Sequence, residues 1–141
     1  MAPHQQRSPS AHLTWPEIRA NTARFAETWK NAAHESADKQ IFWHELFAAF
    51  GLSSVAVGAF EAAVATVSGG RGFMDYFWQG VMLVEHKSRG EDLDKAQQQA
   101  MNYVHSLAAD GRVNELPRFI VLCDFARFRI IDLECGTGNP A

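Results

Sequence analysis

The stretch that decides the fold is GRGFMDYFWQGVMLVEHKSRG, residues 70–90. Two apolar runs, FMDYFW and VMLVEHK, flank the dipeptide QG, and this pattern is typical of a β-hairpin. Asp75, Glu85 and Lys87 lie inside these runs, although removing a charge from water is costly. The second run is apolar on both faces, as a central strand is, so its charges are candidates for a functional site.

The segments around this hairpin predict an α/β fold. Residues 55–67 are ambiguous, since valine and phenylalanine favour a strand and the alanines favour a helix; we assign a strand to the second half. Residues 91–110 predict a helix with acidic side chains in its first turn. RFIVLCD and RFRIIDL predict two final strands joined around Phe125 and Ala126. The order of elements therefore predicts a mixed central sheet flanked by helices.

Two additional helices are predicted before the sheet. Thr14 and Glu17 have the spacing of a capping box at the start of the first helix. The second helix is predicted from near Ser36, with a strongly aromatic face, and ends before Gly51. The predicted organisation is a flexible tail at 1–13, a helical part at 14–54, a core at 55–134 and a linker at 135–141.

Composition restricts the possible functions. The 141 residues suffice for one domain, and 47% are apolar. The net charge of −3 argues against a free-standing, high-affinity nucleic-acid binder, because phosphate binding requires clustered basic side chains. No apolar run approaches the roughly 18 residues of a membrane span, and the first residues do not form a secretory signal. The two cysteines lack zinc-site spacing, so we expect reduced thiols in a cytoplasmic protein.

The charged residues of the hairpin form a candidate metal site. Glu85 and Lys87 are two apart on a strand and share a face, and the hairpin places Asp75 alongside them. Paired carboxylates favour Mg²⁺ or Mn²⁺, and the backbone carbonyl of His86 is a further candidate ligand. Lys87 would then lie beside a metal-bound water and help to orient it. The alternative is a surface ion pair between Glu85 and Lys87, with Asp75 solvated, as is usual for an arbitrary E-x-K.

The pattern D-x9-E-x-K followed by a helix resembles the PD-(D/E)XK nuclease superfamily. On the helix, Gln99 and Tyr103 are similar to the Q-x-x-x-Y motif of its RecB-like branch. That resemblance implies that Gln99 and Tyr103 arrange the active site and contact substrate. The alternative is a polar helix surface that carries a core tyrosine.

A closer resemblance covers roughly residues 36–134. GFMDYFWQGVMLVEHKSRGEDLDKAQQQAMNY and LPRFIVLCDFARFRIIDLE resemble the amino-terminal nuclease domain of MmeI-like type IIG/IIL restriction–modification enzymes. The resemblance implies that Asp75, Glu85 and Lys87 are catalytic, and that Glu61 assists the metal site. It implies double-stranded DNA as substrate and a prokaryotic cytoplasm as location. It also implies methyltransferase and target-recognition domains downstream in the same polypeptide, with S-adenosylmethionine bound only there.

The function predicted from the sequence is therefore a Mg²⁺-dependent DNA endonuclease domain of a longer polypeptide. Self-association during catalysis is expected, because cleavage of both strands by single sites requires two copies. The alternative is a nuclease fold without catalysis that docks DNA or protein. A third hypothesis, a methyltransferase or metabolic enzyme, rests on DLECGTGNPA at 132–141, where the glycines are better explained by a turn.

Overall fold

A five-stranded mixed sheet forms the centre of the fold in this computed structural model, which describes residues 12–135. The strands lie in sequence order across the sheet, and every neighbouring pair is antiparallel except β3 and β4, which are parallel. The strands are β1 (Ala59–Ala65), β2 (Arg71–Trp78), β3 (Met82–His86), β4 (Phe119–Cys123) and β5 (Phe128–Asp132).

Within residues 12–135, four α-helices flank the sheet. The first begins at the predicted capping box, in which Thr14 and Glu17 exchange hydrogen bonds between side chain and backbone. The second ends before Gly51, which has a positive φ of 79°. The helices are α1 (Trp15–Trp29), α2 (Glu35–Ala49), α3 (Ser54–Val57) and α4 (Leu93–Ala109), and a short 3₁₀ turn follows at Val113–Glu115.

Each face of the sheet carries its own apolar core. Helix α4 covers one face, where its residues Leu93, Ala96, Ala100 and Leu107 are buried against β1 to β4. On the other face, the aromatic side chains of α2 and α1 pack against β2, β3 and β4. The buried members of this aromatic core are Phe42, Trp43, Phe47, Tyr76, Val84, Val121, Cys123 and Phe125.

The parallel pairing of β3 with β4 determines where polar groups can meet. Because parallel strands need a crossover, the chain leaves β3, passes through α4 and returns as β4. The register pairs His86 with Cys123, so the two strands end together. The residues after β3 and the first half of α4 are therefore close in space to the middle of β2, at Asp75.

These observations confirm the predicted α/β class, with a mixed sheet flanked by helices. The predicted hairpin, the helix after it and the last two strands are all present. In the ambiguous stretch 55–67, the second half is strand as predicted, while its first residues complete the single turn α3. The predicted tail at 1–13 lies mainly outside the described residues, as does all but the first residue of 135–141. None of the helices in the described part of the chain has the length and apolar character needed to cross a bilayer.

A buried aspartate organises the turn between β4 and β5. Asp124 is 1% exposed and accepts hydrogen bonds from the backbone amides of Gly90, Ala126 and Arg127. The Arg127 guanidinium donates two further hydrogen bonds to it. Burial alone would raise the pKa of Asp124, but these hydrogen bonds hold it below its ordinary value. This carboxylate therefore fixes the corner that begins β5, including Phe125 at a φ of 71°.

We expect Asp124→Asn to lower the free energy of unfolding by about 2–3 kcal/mol at pH 7, because an amide group would oppose buried donors. Since the folded-state pKa is depressed, the stabilisation is fully present above the ordinary carboxyl pKa and is lost as pH falls through the folded value. Urea unfolding of the unaltered chain and of Asp124→Asn at a series of pH values measures this effect. The difference between their free energies of unfolding should become smaller in acid.

Asp132→Asn is the matched control, since Asp132 pairs with the half-exposed Arg118 at the surface. It should change stability much less than Asp124→Asn. Equal effects of the two substitutions would show that Asp124 does not organise the corner.

Candidate active site

The candidate site lies where β2 and β3 separate. Their pairing ends at Tyr76 and Val84, and beyond that level side chains replace backbone partners. Asp75 Oδ2 accepts a hydrogen bond of 2.8 Å from the backbone amide of His86. Glu85 Oε1 lies 3.4 Å from the backbone amide of Asp75. The two acidic side chains therefore fill the gap between the strands. They give hydrogen-bond acceptors to the backbone amides of His86 and Asp75, which have no partner on the opposite strand there.

A break in strand geometry places Asp75 in this gap. Met74 packs in the core under α4, whereas Tyr76 packs in the aromatic core on the opposite face. In a regular strand, residues two apart share a face, so the alternation breaks at Asp75. The neighbouring strand β1 is irregular at the same level: Glu61 has a φ of 50°, which is rare for a residue other than glycine.

The two acids are close enough to perturb each other. Glu85 is 1% exposed, and Asp75 is 9% exposed. Burial, followed by the charge of Asp75, raises the pKa of Glu85 to about 8. A pKa shifted by burial and by a neighbouring charge marks Glu85 and Asp75 as a candidate functional site.

Helix α4 supplies the polar neighbours of Lys87. The Lys87 ammonium donates a hydrogen bond of 2.9 Å to Gln99 Oε1. Gln99 Nε2 in turn donates to the Tyr103 hydroxyl at 3.2 Å. Gln99 and Tyr103 are one turn apart on α4, so the helix holds both on the face that meets the sheet. The structure thus brings these three predicted residues into one hydrogen-bonded chain.

Helix α2 supplies a second lysine, which the sequence analysis missed. Lys39 Nζ lies 2.7 Å from Asp75 Oδ1 and 3.2 Å from Glu61 Oε1. Burial alone would lower the pKa of Lys39, but the hydrogen bond and charge of Asp75, and then those of Glu61, raise it. Glu61 therefore reaches the site through Lys39.

The side chain of His86 points away from the acidic pair into the aromatic core. Its Nδ1 accepts a hydrogen bond of 2.8 Å from the Trp43 indole, and its ring lies against Phe42 and Phe125. Burial lowers the pKa of His86 to about 4, so the imidazole is neutral at pH 7. Its role in a metal site would be limited to the backbone carbonyl, as the sequence predicts.

The donor set fits a hard divalent cation that retains several waters. Two carboxylates and one backbone carbonyl are oxygen ligands, which Mg²⁺ and Mn²⁺ prefer. Within residues 12–135, no three or more His, Cys, Asp or Glu side chains are grouped to hold a metal ion. A donor set of carboxylate and carbonyl oxygens without histidine or cysteine side chains is typical of Mg²⁺ sites and not of zinc sites.

The sequence contained one signal for Lys39. Lys39 precedes the buried residues Phe42 and Trp43 by three and four positions, so all three share a face of α2. A lysine on an aromatic, sheet-facing stripe requires a partner inside the fold. Sequence alone gives no means to identify Asp75 as that partner, because 36 residues separate them.

The fold and this site define a mixed α/β domain with an acidic pair and two lysines where strands separate. The chain belongs to the family described as MmeI, N-terminal domain, whose model matches residues 20–141. This match confirms the predicted family resemblance and places the chain among domains of restriction–modification enzymes. No curated protein and no solved structure gives a significant match to the chain.

The hydrogen-bonded series of Lys87, Gln99 and Tyr103 leaves room for no side chain at Gly72 of β2. A Cβ atom added to Gly72 would lie 2.6 Å from the Tyr103 ring. We therefore expect Gly72→Ala to displace Tyr103 and to lower the free energy of unfolding by about 1–3 kcal/mol. Urea unfolding measures this loss.

Two backgrounds separate the clash from other effects of the added methyl group. In a Tyr103→Ala background the loss caused by Gly72→Ala should be much smaller, because the tight contact that remains is with the Thr66 methyl group at 3.2 Å. In a Tyr103→Phe background, which keeps the ring but removes the hydroxyl, the loss should persist. The same loss in all three backgrounds would contradict the close contact.

Proposed function

We propose that this chain is a Mg²⁺- or Mn²⁺-dependent DNA endonuclease domain that hydrolyses phosphodiester bonds. The observation that carries the proposal is that Asp75 and Glu85 meet at the gap between β2 and β3, with Lys87 close enough to act electrostatically on Glu85 and held by Gln99. A bound divalent ion would supply charge stabilisation and an activated water. Membership of the MmeI N-terminal domain family supports a role in restriction–modification.

Each residue has a role that follows from its position. Asp75 and Glu85 would hold the metal ion, together with the backbone carbonyl of His86. Lys87 would orient the attacking water and offset negative charge on the phosphate. Water would add to phosphorus and give up a proton to solvent, the bond from phosphorus to the leaving oxygen would break, and that oxygen would take up a proton from solvent. Gln99 would keep the Lys87 ammonium in place.

The wider assignment also follows from the family. We propose double-stranded DNA as the substrate, with methyltransferase and target-recognition domains of a longer polypeptide as partners. S-adenosylmethionine would be bound by those domains. Two copies would associate transiently to cut both strands, in the cytoplasm of a prokaryote.

Nicking of supercoiled plasmid tests the proposed chemistry. We expect slow nicking that requires Mg²⁺ or Mn²⁺, and a decrease of about 100-fold or more in Asp75→Asn, Glu85→Gln and Lys87→Met. In the longer polypeptide, Lys87→Met should abolish cleavage and preserve methylation, because the lysine serves the nuclease centre alone.

Lys95→Met is the matched control, since Lys95 is an exposed lysine on α4. It should nick at the rate of the unaltered chain. Nicking that survives all three site substitutions would place the chemistry elsewhere. A longer polypeptide that methylates DNA but never cuts it would favour the catalytically inactive docking module.

We expect the 141-residue chain to bind DNA weakly and without sequence preference, with a dissociation constant above about 1 µM at physiological salt. Its net charge is −3, so few counterions are released on binding. Gel-shift titrations with duplexes of several sequences at two salt concentrations measure this. Tight, salt-resistant binding to one duplex would show that this domain itself reads sequence.

A further inference from the structure

Lys39 holds an oxygen that the proposed metal ion needs. Its ammonium lies 2.7 Å from Asp75 Oδ1, while Asp75 Oδ2 accepts the backbone amide of His86. Both oxygens of Asp75 therefore have a hydrogen-bond donor within 2.8 Å. A divalent ion and an ammonium group in contact with one carboxylate oxygen would repel each other strongly in a site this buried.

We propose that Lys39 is a built-in competitor for the metal ion: it neutralises Asp75 in the metal-free chain and withdraws towards Glu61 when the ion binds. This inference rests on the proposed function. It assigns Lys39 a positioning role, because the lysine acts on the metal ligand and not on the reacting atoms.

The surroundings of Lys39 allow this movement. A groove of about 570 Å³ adjoins it, lined by Ser36, Ala37, Gln40, Ile41 and Glu61 besides Lys39 itself. The Glu61 side chain is 44% exposed and that of Asp75 is 11% exposed, so Glu61 lies towards solvent and Asp75 lies towards the interior. Rotation of its flexible side chain towards the groove would release Asp75 Oδ1 and keep the ion pair with Glu61.

Calorimetric titration of the 141-residue chain with Mn²⁺ alone tests the competition. We expect Lys39→Met to bind Mn²⁺ about tenfold more tightly than the unaltered chain, because no ammonium must leave Asp75. Lys39→Arg keeps the charge and should bind close to the unaltered chain. Lys30→Met is the control for net charge, since Lys30 pairs with Glu27 on the surface of the chain. It should also leave the affinity unchanged.

Thermal unfolding gives a second measurement that does not depend on activity. In chelator, Lys39→Met should melt at a lower temperature than the unaltered chain, because Asp75 loses its partner. Added Mn²⁺ should raise its melting temperature by more than that of the unaltered chain, as tighter binding to the folded state requires. Should Lys39→Met not fold, Lys39→Gln provides the same comparison.

The outcomes separate the two proposals. If Asp75→Ala binds Mn²⁺ as tightly as the unaltered chain, the proposed metal site is wrong and the competition falls with it. If Asp75→Ala loses binding but Lys39→Met binds no more tightly than the unaltered chain, the metal site stands and the competition is overturned.

Glu61→Gln identifies the place to which Lys39 withdraws. If Glu61 acts as the ion-pair partner of the withdrawn Lys39, then Glu61→Gln alone should weaken Mn²⁺ binding. The same substitution should have no effect on Mn²⁺ binding when combined with Lys39→Met. Weakening of the same size in both backgrounds would make Glu61 a direct ligand, and would overturn its proposed role as the alternative partner of Lys39.

Discussion

The structure depends on the burial of two carboxylates where two strands separate. Asp75 and Glu85 are almost completely buried, and burying either acidic side chain without a polar partner would cost much free energy. Nearby groups offset this cost. Asp75 accepts a hydrogen bond from the backbone amide of His86 and contacts Lys39, and Glu85 lies against the backbone amide of Asp75. If the two strands continued to pair here, these backbone amides would bond to the neighbouring strand instead of to the acids. The gap therefore supplies the amides, and Lys39 supplies the positive charge beside Asp75.

The two helical layers have different functions at this site. From one face, α4 brings Gln99 to Lys87 and sets the position of that ammonium. From the other face, α2 brings Lys39 to Asp75, and its aromatic residues bury the ring of His86. The crossover between β3 and β4 requires a helix on one face, and the aromatic core holds α2 on the other. Lys39 therefore reaches Asp75 from the α2 layer, whereas Lys87 follows β3 and is positioned by Gln99 of the α4 layer.

Much of the fold was predictable because its signals are local. The capping box at Thr14, the dipeptide QG between two apolar runs and the apolar stripe of α4 each act over a few residues. The start of β1 was less predictable, because the alanines in 55–67 favour a helix while the valines and phenylalanine there favour a strand. There the pairing of Ala59 with Phe77 decided the outcome, and that contact spans 18 residues.

The sequence by itself determined which chemistry is available. Glu85 and Lys87 share a strand face, and Gln99 and Tyr103 share a helix face, because of the fixed geometry of strands and helices. Tertiary structure alone decided that Lys39 faces Asp75, that Glu61 reaches the site through that lysine, and that the ring of His86 turns into the aromatic core. These contacts join distant segments, and their energies depend on burial, which no local pattern encodes.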